Sequence, residues 1–247
     1  MNLPDLWLQI VYGRLAWALV VAALLLAILP AVLAAPGLRR RFGAVSVSHR
    51  SRSALVAAIF VLMALPGAAS PAYWLALAFQ YPSGLLVGYS AVALVARWRA
   101  RRVRFALPTG MALALSAIGL VLYLDTFGVL SLGLYYGGFN PVAAPLLACA
   151  AAFGFAVNVW RGHAAGPSAA MLVAVLLFSL LRLPSGNLWD SLFDPLLWSW
   201  ALASSIAALP RLLTARRSRL ALVTGEPAHA PAPLPELEPA RVVNARD

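Results

Sequence analysis

The chain has 247 residues, 62% of them hydrophobic and 11% charged, with a mean hydropathy of +0.84. A water-soluble domain of this length keeps about a quarter of its residues charged to cover its surface, so most of this surface faces something other than water. The net charge of +11 does not point to nucleic acid, because the basic residues sit at the ends of apolar runs, where membrane topology places them.

All 19 basic residues are arginine. Without lysine there is no retinal Schiff base, P-loop lysine or pyridoxal phosphate chemistry, since each needs a lysine amine. Cys149 is the only cysteine, which excludes disulfides within the chain and cysteine-rich zinc sites. His49, His163 and His229 fall outside the apolar runs, so a haem held by two histidines inside the bundle is unsupported. No catalytic residue, cofactor or metal is expected. The Ala/Arg/Leu bias fits a GC-rich bacterial genome.

Seven apolar stretches predict an all-α, polytopic transmembrane bundle over residues 1–213: Leu15–Ala35, Ala54–Ser70, Tyr73–Ala96, Phe105–Asp125, Pro141–Trp160, Pro167–Leu183 and Pro195–Leu213. The first is read as a retained helix, not a signal peptide, because it is long and Arg39-Arg40-Arg41 follows it as a stop-transfer signal. Arginine clusters at 39–52, 97–104, 161 and 211–219 fall on one side only if the chain crosses seven times. The positive-inside rule then sets the N-terminus outside and the C-terminus in the cytoplasm. Residues 214–247, with five prolines and three glutamates between Glu226 and Pro239, are expected to form a disordered cytoplasmic tail.

Ala144, Ala148, Ala152 and Ala156 place small side chains on one face of the fifth stretch, which is therefore expected to be a central helix. The segments joining stretches two to three and six to seven are alike. Each has Leu-Pro (Leu65-Pro66, Leu183-Pro184), then a proline that opens the next helix (Pro71, Pro195), then a tryptophan three residues on (Trp74, Trp198). A repeat of this kind gives a three-plus-one-plus-three layout, which resembles that of SWEET-type sugar carriers and implies a carrier. The Pro-Gln dipeptide of their PQ-loop relatives is absent, so no binding residue is carried over.

The most polar stretch between spans runs from Arg182 to Asp194 and includes Asn187, Trp189 and Asp190. Gln80 and Tyr81, Tyr123 and Asp125, and Tyr135 to Asn140 are expected at the same depth, where together they line one outward-facing pocket. The competing expectation is a structural knot in which Arg182 pairs with Asp190 or Asp194. An exosortase-like transpeptidase needs a cysteine, an arginine and a histidine near the outer face. Cys149 and Arg182 supply two of these, but no histidine falls on that side.

The functional expectation is a non-enzymatic accessory or binding subunit of an envelope assembly in a bacterial inner membrane. Its partners would be the lipid bilayer and another membrane or envelope protein, not nucleic acid. The alternatives are a small carrier for a neutral or lipid-like solute and an enzyme acting on a lipid-linked substrate at the outer face.

Overall fold

The computed structural model describes residues 4–36, 48–99, 107–162 and 165–224, and these are mostly helical, with no strand among them. The elements in chain order are α1 (Leu6–Ala34), α2 (His49–Ala64), a 3-10 turn (Gly67–Ala69), α3 (Pro71–Phe79), α4 (Gly84–Trp98), α5 (Thr109–Thr126), α6 (Leu134–Gly137), α7 (Ala143–Trp160), α8 (Ala165–Leu181), α9 (Leu188–Leu192) and α10 (Pro195–Thr224). Among the described residues four stretches are long and apolar enough to cross a membrane: Leu6–Ala34, Thr109–Thr126, Ala143–Trp160 and Pro195–Thr214. Gly84–Trp98 and Ala165–Leu181 are shorter apolar helices. Helices that leave large apolar side chains such as Leu146, Leu147, Phe153 and Leu180 uncovered suit a lipid surround and would aggregate in water. The chain divides into two compact units, Met1–Ser205 and Ile206–Asp247.

Local chemistry explains where the helices begin. Ser48 accepts a hydrogen bond from the Ser51 N–H at the start of α2, Ser70 one from the Ala72 N–H of α3, and Ser83 one from the Leu86 N–H of α4. Pro71 and Pro195 stand first in their helices, where no N–H is needed.

The helices depart from the sequence reading at several points: the first begins at Leu6, not Leu15, and the second runs His49–Ala64, not Ala54–Ser70. The stretch Tyr73–Ala96 is not one helix: it breaks at residues 80–83 into α3 and α4. At the far end, α10 continues helically to Thr224, through residues 214–224 that were expected to belong to the tail, while 225–247 lie outside the described residues.

The central helix also differs from the one expected. The helix carrying the alanine row, α7, buries only Ala144 and Ala148, against Val175 and Phe178 of α8. It is α8 that packs on both α7 and α4. Its approach to α4 depends on two glycines. A Cβ on Gly88 would stand 2.9 Å from the Cα of Ala170, and one on Gly84 would stand 3.0 Å from the Cα of Ala174. Where lipid removes the hydrophobic drive between helices, such small-residue faces let backbones approach and gain dispersion contact. Leu85, Ala112, Leu115, Ala170, Ala174, Leu197 and Ala201 close a core among α4, α5, α8 and α10, and Trp17, Ile59, Met63 and Ala72 form another among α1, α2 and α3.

Candidate functional site

The break between α3 and α4 organises the polar region. Gln80 ends α3 with φ 60° and ψ −139°, and Pro82 lacks an N–H, so the helical ladder stops there. Backbone groups freed inside an apolar bundle need partners. Helix α1 supplies two: the Trp17 indole N–H donates to the Gln80 carbonyl (3.1 Å) and the Tyr12 hydroxyl to the Pro82 carbonyl (2.7 Å). The third comes from the segment before α10, where Asp194 accepts the Ser83 N–H at 2.8 Å. The other oxygen of Asp194 accepts the Leu197 N–H, also at 2.8 Å, at the start of α10. Asp194 is 7% exposed, and its charge lies where two helix N-termini converge.

Asp190, on α9, is held differently. The Tyr135 hydroxyl donates to both carboxylate oxygens (3.1 and 3.2 Å), and the Ser185 hydroxyl makes a short hydrogen bond to Oδ2. Burial pushes the Asp190 carboxyl above the usual carboxylate range, and the hydrogen bonds from Ser185 and Tyr135 oppose the shift. Burial, with the adjacent Asp190 charge, pushes the Tyr135 phenol up to about 12, so it remains a donor.

These groups open onto a cavity of about 530 Å³, within the ~300–1,000 Å³ typical of small-molecule sites. Of the sequence candidates, Gln80, Tyr81, Trp189, Asp190 and Asp194 line it, together with Tyr123, Tyr135 and Ser185 from the neighbouring stretches. The other four serve architecture. Asp125 accepts the N–H groups of Leu132, Gly133 and Tyr135 (2.6, 2.9 and 2.9 Å), folding the segment after α5 so that Tyr135 can reach Asp190. Asn187, fully buried, accepts the Trp189 N–H and donates to the Tyr135 carbonyl. Asn140 accepts the N–H groups of Val142 and Ala143 at the approach to α7.

Arg182 corrects the expected knot. Among the described residues no ion pair joins it to Asp190 or Asp194, because both carboxylates are already held by nearer donors. The guanidinium instead lies over the Phe178 ring, 5.1 Å from its centroid. Cys149 is exposed on α7 and is not among the residues lining the cavity.

The polar side chains were legible as separate stretches; the helix break was not. The run Gln80-Tyr81-Pro82-Ser83-Gly84 inside an apolar stretch carried its signal, since interrupted hydrophobic segments mark binding sites in many transporters. Among the described residues no three His, Cys, Asp or Glu side chains stand close enough to share a metal ion. Among the described residues the fold and cavity define a helical protein with four helices fit to cross a membrane and an acidic, aromatic-walled cleft. The chain matches no family model, no curated protein and no solved structure.

Proposed function

We propose that the protein is a multi-pass component of a bacterial inner membrane, crossing seven times with its N-terminus outside, and that it acts as a non-enzymatic binding subunit of an envelope assembly. The convergence of Gln80, Tyr81, Tyr123, Tyr135, Asp190 and Asp194 on one cavity carries this reading. In the proposed orientation that cavity opens at the outer face, because its residues come from helix ends remote from the arginine clusters.

A second reading, a small carrier, is supported by the break between α3 and α4. Discontinuous helices supply backbone groups and helix ends to substrate sites and act as points of rearrangement.

The test uses Gln80→Cys in a Cys149→Ala background. In spheroplasts a membrane-impermeant maleimide should label it from outside, and reporter fusions at Asn140 should also read external. Solutes that enter the cleft should protect the new thiol and raise the melting temperature of the purified protein. A thiol shielded from the outside reagent but labelled in inverted vesicles would overturn the orientation. Solute uptake by the purified protein in proteoliposomes would favour the carrier; co-purification with a partner, without uptake, would favour the subunit.

A further inference from the structure

We infer that the cleft takes a small organic cation, its ammonium group seated among aromatic faces beside Asp190 and Asp194. This rests on the proposed reading of the cleft as a binding site.

Three observations carry it. The first is charge. Among the described residues two carboxylates line the cavity and no arginine or histidine does. The nearest arginine in sequence, Arg182, lies over Phe178 and pairs with neither aspartate. With its carboxylates ionised the lining is net negative, and away from bulk water a charge acts more strongly on a ligand.

The second is the wall. Phe79, Tyr81, Tyr123, Tyr135, Trp189 and Phe193 all contribute to it. Aromatic faces are negative at their centres and attract alkylated ammonium groups, which shed water more easily than a metal ion does.

The third is how the carboxylates are held. Each of their four oxygens already accepts a hydrogen bond from the protein: Asp190 from Tyr135 and Ser185, Asp194 from Ser83 and Leu197. A sugar is held by directional hydrogen bonds and a hard metal ion by several carboxylate oxygens in its coordination shell, and each of these oxygens has already given one of its acceptor positions to the protein. A quaternary ammonium group needs neither. It responds to charge and to aromatic rings, and both line this cavity.

The experiment measures binding to the purified full-length protein in detergent by titration calorimetry. The probes are choline, its uncharged isostere 3,3-dimethylbutan-1-ol, glucose and calcium. Choline should bind at least about tenfold more tightly than the isostere, and Asp190→Asn should weaken choline by a similar factor while the isostere is unaffected. Gln80→Arg, at an exposed lining position, should abolish choline binding by adding a positive charge, which gives a second variant if Asp190→Asn fails to fold. Equal binding of choline and its isostere, or binding of glucose or calcium alone with protection of Gln80→Cys, would overturn the cation class and leave the binding cleft standing. No binding by any probe, and no protection of that thiol, would overturn both.

Discussion

Asp194 and Ser83, 111 residues apart in sequence, are joined by a 2.8 Å hydrogen bond from the Ser83 N–H to one carboxylate oxygen, while the other oxygen holds the Leu197 N–H. One side chain thus closes the starts of both α4 and α10. Removing it leaves two buried N–H groups unpaired, each costing about 1–3 kcal/mol. Asp194→Ala should therefore destabilise the protein by about 3 kcal/mol. Asp194→Asn, which keeps one acceptor oxygen, should lose roughly half as much. Unfolding in detergent would measure both, and equal stability of Asp194→Ala and wild type would show that α4 starts without this bond.

The contact between α4 and α8 makes a prediction about glycine. Gly88→Ala adds a methyl group against the Ala170 backbone, which cannot swing aside as a side chain could. A loss of about 1–3 kcal/mol is expected from overpacking. Gly110→Ala is the control: it sits in the first turn of α5 with nothing within 4 Å of the added carbon, and should be neutral or slightly stabilising. Melting temperatures of the two variants should therefore shift unequally, with Gly88→Ala the lower.

Arg182 should behave independently of the two aspartates. Its guanidinium rests on Phe178, so double mutants of Arg182→Ala with Asp190→Asn or Asp194→Asn should be additive within about 0.5 kcal/mol. Arg182 also has φ 56°, a left-handed conformation that costs a side chain little only when it is glycine. Arg182→Gly should accordingly be the more stable of the Gly and Ala variants. A coupling above 1 kcal/mol in a double-mutant cycle would restore the ion pair.

Asp190 gives a pH dependence of definite sign. Burial raises its pKa in the folded protein, so folding favours the protonated carboxyl. Its contribution to stability is full below the unfolded carboxylate value of about 3.9 and is lost as pH rises through the raised folded value. Asp190→Asn removes that loss. Relative to wild type, the variant should gain stability between pH 4 and pH 7, read as the difference in melting temperature at the two pH values. A difference that moves the other way would mean that the bonds from Ser185 and Tyr135 outweigh burial.

Some of this was decided by sequence alone. An apolar fraction of 62% with charges gathered at the ends of runs leaves helices as the economical way to satisfy the backbone away from water. Ser70-Pro71 and Asp194-Pro195 mark helix starts wherever they occur, because the cap and the proline act on their own turn. The Arg182–Asp194 stretch and the Gln80-Tyr81 stretch were recognisable as polar islands.

Tertiary structure decided how these pieces combine. Hydropathy reads Tyr73–Ala96 as one helix because it sums over neighbours, whereas the break at 80–83 depends on Tyr12, Trp17 and Asp194, which reach it from elsewhere in the chain. Charge proximity along the chain favoured Arg182 as the partner of the aspartates; in the fold, backbone N–H groups and the hydroxyls of Tyr135 and Ser185 are the nearer donors. The alanine row on α7 looked central because small residues permit close packing, but they do not say which helix arrives, and Gly84 and Gly88 meeting α8 settled that. Propensity, capping and hydropathy act within a turn or two of the chain, while these hydrogen bonds and backbone contacts link residues dozens of positions apart and form only once the helices pack.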